Sequence, residues 1–157
     1  MITLHIVGTP RPQPRARFVG RGAARRVVST ANRQAKQWRN RVMAAARRAL
    51  EAHGPQAGAV ELVAAFYFET PDAGRWGKPH TARPDADNLL KLVMDAIESA
   101  GLLPKGDAAI ARTITSKAWA AQPGVVVTMG PSEALAAGDD PDDLGVAFIA
   151  AQPRAPV

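Results

Sequence analysis

The segment Arg83-Pro84-Asp85-Ala86-Asp87-Asn88-Leu89-Leu90-Lys91 sets two carboxylates two residues apart, behind a proline that forces an extended entry. In an extended segment residues two apart point the same way, so Asp85 and Asp87 can converge on one hard cation through the oxygen ligands that magnesium takes. A plainer use exists. An Asp at a helix start satisfies orphan N–H groups and meets the positive end of the dipole, worth about 1 kcal/mol, but one cap needs one Asp. Lys91 lies four residues beyond Asp87 on the same helix face, where it can neutralise the pair, reach a phosphate or form a surface ion pair. Asp95 stands four beyond Lys91, as a further carboxylate or as its helix partner. Asp107, in Pro104-Lys105-Gly106-Asp107, enters a strand region from a loop and is free to approach residues 85 and 87. Lys117 falls along that strand, although strand surfaces also carry lysine for solubility.

These side chains need a scaffold, and the apolar pattern supplies one. Residues 2–7 alternate and read as a strand. Pro10, Pro12 and Pro14 then exclude helix, and an extended basic loop is expected from Thr9 through Gly20-Arg21-Gly22. Ala35, Trp38, Val42, Ala45 and Ala49 recur at helical spacing, predicting an amphipathic helix over about 30–52, ended by Gly54-Pro55. Residues 59–69 are nearly continuously apolar and aromatic, as in a central strand. The polar, Gly/Pro-punctuated stretch 70–84 is a long loop of the length that usually carries function. Leu89, Leu90, Val93, Met94, Ala96, Ile97 and Ala100 fit a second helix over 86–100, stopped by Gly101. Ile110, Ile114 and Trp119 belong to a further strand, and residues 125–129 to a last one. The expected fold is α+β: a small mixed sheet with two main helices, in the order β-α-β-α-β-β.

At 157 residues the chain suits one domain, set at 1–130, with an acidic, Pro/Ala-rich tail over 131–157. The Asp run in Gly138–Asp143 lacks the spacing of a calcium loop. With no cysteine, disulfide frameworks, thiolate nucleophiles and zinc ribbons are excluded. His5, His53 and His80 have no ligand spacing, and only His80 lies in the loop beside the acids. No P-loop, G-x-S-x-G or H-E-x-x-H occurs. There is no basic leader before an apolar run and no stretch of about 18 apolar residues, so a soluble, cytoplasmic protein with no membrane partner is expected.

The charge is polarised along the chain. Residues 1–50 hold 12 Lys and Arg and no acid, whereas residues 106–157 hold 3 basic and 6 acidic residues. A stretch of this kind repels itself unless a polyanion lies opposite, and nucleic acid is the polyanion that releases counterions on binding. A basic arm with an acidic cluster describes a metal-dependent phosphodiesterase: arginines hold the polyanion and the metal acts on the phosphate. The alternatives are a non-catalytic, basic DNA-junction-binding protein whose acids only cap and pair, and a metal enzyme for a small phosphorylated substrate, which leaves the arginines unused.

These residues resemble the RusA-type Holliday junction resolvases. The likeness rests on Gly8-Thr9-Pro10-Arg11-Pro12-Gln13-Pro14-Arg15-Ala16-Arg17-Phe18, on Arg83 to Lys91 followed by Asp95-Ala96, and on Leu103 to Ile110 with Lys117 beyond. It spans about residues 4–129. The resemblance implies a homodimeric endodeoxyribonuclease dependent on Mg²⁺, or on Mn²⁺ in its place, that nicks opposing strands of four-way junction DNA in recombination and repair. It implies Asp85, Asp87 and Asp107 as metal ligands and Lys91 as a basic residue of the catalytic site. Arg11, Arg15, Arg17, Arg21, Arg25, Arg26, Arg83 and Lys117 are the expected DNA contacts. Family members commonly carry two adjacent acids in the last loop, and here Gly106 stands in the place of the first.

Overall fold

The computed structural model describes residues 1–14, 16–19, 26–29 and 33–132, with the backbone alone for 16–19 and 26–29. Four strands make the main sheet: β1 (Ile2–Val7), β4 (Val60–Glu69), β5 (Ile110–Ala120) and β6 (Gly124–Pro131), in the spatial order β1-β6-β4-β5. β6 runs antiparallel to both neighbours, while β4 and β5 are parallel, so the sheet is mixed. The parallel pair needs a crossover, and α2 (Ala86–Ser99) provides it.

One face of the sheet takes both helices. Helix α1 (Arg33–His53) buries Trp38, Val42, Ala45, Ala46 and Ala49, and α2 buries Leu89, Leu92, Val93, Ala96 and Ile97. These pack on Ile2, Leu4 and Ile6 of β1, Leu62 and Phe66 of β4, and Val125, Val127 and Met129 of β6. The opposite face carries a second cluster of Ala65, Tyr67, Ala120 and Val126. Every residue of β4 before Glu69 is therefore buried, which explains why its sequence runs apolar without alternation. Burial also raises the pKa of the Tyr67 hydroxyl, since the interior disfavours phenolate.

The helix ends follow the expected punctuation. Gly54, at φ +72°, donates to Leu50 O at 2.9 Å and closes α1. At the end of α2, Gly101 (φ +84°) donates to Glu98 O and Leu102 to Ile97 O, a Schellman arrangement whose following residue, Leu102, is fully buried.

The N-terminal arm departs from expectation. In place of an unbroken extended loop, β2 (Ala16–Val19) and β3 (Arg26–Ser29) form an antiparallel ribbon with Arg17 opposite Val28 and Phe18 opposite Val27. Prolines 10, 12 and 14 have no N–H to give a ladder, so pairing begins only beyond them, where Phe18, Val19, Val27 and Val28 favour strand. The stretch 70–84 is also more ordered than a plain loop. It contains a 3₁₀ turn, Ala73–Arg75, whose start is capped by Asp72 Oδ1 accepting from Gly74 N at 3.0 Å. Of the tail expected over 131–157, Pro131 still belongs to β6 and Ser132 follows it; residues 133–157, including the Asp run at 139–143, lie outside the described residues. Among the described residues, no helix is long and apolar enough to cross a membrane.

Candidate active site

The extended entry expected before α2 is not found: the chain bends over residues 82–84 through a cis Arg83–Pro84 peptide bond, and only Asp85, the N-cap at φ −71°, ψ 143°, is extended. The Asp85 carboxylate makes no capping hydrogen bond and is exposed, so helix capping does not account for this acid. Asp87 is already helical, in the first turn of α2 and exposed, so the extended two-residue spacing expected to set it on the same side as Asp85 does not apply; Lys91 stands one turn further along.

The charged stripe continues along α2. Lys91, Asp95 and Glu98 follow at spacings of four and three, the interval that stacks side chains on one helix face. Lys91 Nζ lies 2.7 Å from Asp95 Oδ1 and 2.8 Å from Asp107 Oδ2, joining the helix to the loop that precedes β5. The two carboxylates hold the ammonium well above the ordinary lysine range, the Asp107 hydrogen bond contributing most and Asp95 next. Reciprocally, the Lys91 hydrogen bond and charge hold the Asp107 carboxyl below its usual range.

Asp95, Glu98 and Asp107 form an acidic group in which each supplies an oxygen within 4.8 Å of the others. Asp107, expected to approach residues 85 and 87, is held by Lys91 beside Asp95 and Glu98. Lys91 and Asp107 come together, whereas Asp85 and Asp87 stand at the helix start and are not members of this group. Glu98 was not singled out in the sequence; its i+7 relation to Lys91 is the signal that places it on the same stripe. Gly106 explains how it fits. A Cβ there would lie 2.8 Å from Glu98 Oε1, and the φ of +72° with ψ of −170° is itself a glycine conformation.

The arm reaches this stripe. Gln13 donates from its backbone to Asn88 O and from Nε2 to Asp95 Oδ2, both at 2.9 Å. A single glutamine between two prolines gave no sequence signal for this contact. Arg11 is partly exposed and Arg83 exposed. For Arg17 and Arg26 the structure gives strand backbone only, and Arg15, Arg21 and Arg25 lie outside the described residues.

Lys117 is placed differently from a free phosphate contact. Its Nζ donates to Ala82 O and Pro84 O, each at 2.7 Å. The same loop is stitched to β5 by Gly77 N to Trp119 O, Trp119 N to Lys78 O and His80 N to Lys117 O. His80 is buried, stacked on Phe68 at 4.1 Å and tilted against Trp119 at 4.2 Å, while the Arg75 guanidinium lies over the Trp119 ring at 4.1 Å. Burial, followed by the positive charge of Lys117, lowers the His80 pKa; its Nδ1 has no hydrogen-bond partner. His80 is a packing residue of the loop.

The donor set suits a hard divalent cation. Asp85, Asp87, Asp95, Glu98 and Asp107 offer carboxylate oxygens alone, and the Lys91 ammonium already shows that two of them accept a cation between them. The family model described as Endodeoxyribonuclease RusA matches residues 8–130, from the arm to the end of the main sheet. No curated protein matches the chain.

Proposed function

The chain belongs to the endodeoxyribonuclease RusA family, and from that premise we propose that it is a divalent-metal-dependent nuclease resolving four-way DNA junctions by paired nicks. The observation that carries this reading is the Lys91 ammonium set between Asp95 and Asp107, which ties the helix bearing Asp85 and Asp87 to the loop bearing the third expected acid.

In this reading Asp85, Asp87 and Asp107 hold Mg²⁺, or Mn²⁺ in its place, with Asp95 and Glu98 next to Asp107. When bound, the ion supplies Lewis acidity at the scissile phosphate and stabilises its developing charge. Asp85, uncommitted to capping, keeps its oxygens available. Lys91 fixes Asp107 and offers a positive charge beside the phosphoryl oxygens, where fixed charges are worth most. Gln13 orients Asp95 from the arm, so that the DNA-holding and acidic parts meet at one place.

Arg11, Arg15, Arg17, Arg21, Arg25, Arg26 and Arg83 serve as phosphate contacts, supported by the arm's charge and by arginine's planar fork. Two symmetric nicks require two sites related by a twofold axis, which a homodimer supplies. The setting is cytoplasmic DNA recombination and repair, with no membrane partner.

The test is to incubate the protein with a labelled four-way junction and a matched linear duplex, with Mg²⁺ or EDTA, and separate products on a denaturing gel. Paired nicks in opposing strands of the junction, in Mg²⁺ only, are expected. Retarded but uncut junction would replace this reading with that of a non-catalytic junction-binding protein.

A further inference from the structure

Asp85 has an exposed carboxylate that makes no bond to its own helix, so its place depends on what holds its backbone. On the C-terminal side, Leu89 N donates to Asp85 O at 3.1 Å. On the N-terminal side the chain bends over residues 82–84, where no helix or ladder satisfies the carbonyls. Lys117 supplies the missing donors: its ammonium takes Ala82 O and Pro84 O at 2.7 Å each, while its own carbonyl accepts from His80 N at 2.9 Å. One strand residue therefore grips the loop at residues 80, 82 and 84, the last immediately before Asp85. An ammonium has three donors, and two are committed here.

We infer that Lys117 is a positioning residue, whose ammonium clamps the Ala82 and Pro84 carbonyls and so fixes Asp85 at the start of α2. Its consequence for cleavage rests on the nuclease reading above; the clamp itself does not. Arg83, between the two clamped carbonyls, is presented outward by the same grip and keeps its guanidinium exposed.

The experiment compares the full chain with Lys117→Met, which keeps the aliphatic stem and removes the donors, and Lys117→Arg, which keeps charge and donors. Backbone ¹⁵N relaxation at Ala82, Arg83 and Asp85, without DNA or metal, reads the clamp directly. In Lys117→Met the order parameters should fall from about 0.85 to below about 0.6, and Lys117→Arg should restore most of the difference. Under the nuclease reading, the Mg²⁺ needed for half-maximal junction cleavage should rise about 10–100-fold in Lys117→Met. Junction affinity in EDTA and its salt slope should stay unchanged. Unaltered loop order overturns the proposal. So does weakened junction binding in EDTA with a salt slope reduced by about one, which would make Lys117 a phosphate contact. If the unmodified protein leaves the junction uncut, the nuclease reading falls, and the relaxation data alone uphold or overturn the clamp.

Discussion

Glu98 Oε1 stands 2.8 Å from the point where a side chain on Gly106 would begin, so the glycine and the glutamate share one space at the edge of the acidic group. Gly106 is constrained twice, by that carboxylate and by a backbone conformation that only glycine adopts readily. The glutamate tip is flexible and can swing away; the backbone cannot. Gly106→Ala should therefore lower stability by about 1–3 kcal/mol from strain. Adding Glu98→Ala should recover little of it. Urea unfolding midpoints check this, and full recovery in the double variant would show that the clash alone matters.

Lys91→Met should release Asp107. The Asp107 carboxyl is held below its ordinary value of 3.8 by the Lys91 hydrogen bond, and removing the ammonium leaves it facing Asp95 and Glu98. Its pKa should rise above that of the unmodified chain, read from the Asp107 carboxyl carbon shift against pH. The sign is fixed by linkage. The lowered Asp107 pKa makes the pair's contribution full above pH 3.8 and lost as pH falls through the folded value. The raised Lys91 pKa keeps it full below 10.5 and loses it only at higher pH. An Asp107 titration indifferent to residue 91 would refute the pair in solution.

His80 sets a different pH window. Burial and the nearby Lys117 charge hold its pKa below 6.5, so the unfolded chain binds the proton more readily than the folded one. Stability should be full above pH 6.5 and decline as pH falls from there through the folded value. His80→Phe, which keeps a ring against Phe68 and Trp119, should flatten this slope between pH 7.5 and 5. Urea midpoints across about that range measure it, and an unchanged slope would assign it elsewhere.

Asp85→Asn and Glu98→Gln separate the two acidic neighbourhoods. Asp85→Asn should reduce junction cleavage by at least about a hundredfold while leaving EDTA binding intact, and Asp107→Asn should do the same. Glu98→Gln should cost less, since Glu98 stands beside Asp107 and outside the set that the family pattern implies. Gel assays at fixed Mg²⁺ rank the three. Loss on Glu98→Gln equal to that on Asp85→Asn would move the metal to Asp95, Glu98 and Asp107.

Much of the scaffold was readable because apolar spacing reports burial directly. The unbroken run of residues 60–68 reflects a strand covered on both faces, and Gly101 marks the end of α2 because the Schellman turn needs its positive φ. The β2–β3 ribbon was hidden because arginines and prolines mask a pairing made by backbone atoms. The Lys91–Asp95 pair was legible in the four-residue helix spacing, whereas the Lys91–Asp107 pair, sixteen residues apart and made across a loop, was not. Nor were the contacts of Lys117 and Gln13, since carbonyls such as Ala82 O and Asn88 O belong to every residue and leave no mark in a sequence.

The stitching of residues 77–80 onto β5 also bears on solubility. β5 is one of the two edge strands of the main sheet, and an edge strand offers unpaired backbone groups to any other extended chain. Gly77, Lys78 and His80 occupy those groups along residues 117–119, and the charged side chain of Arg112 stands exposed on the remaining stretch. The loop that presents Arg83 and Asp85 is thus also a cover over the β5 edge, opposing intermolecular strand addition there. Variants that loosen it should be watched for aggregation as well as for lost activity.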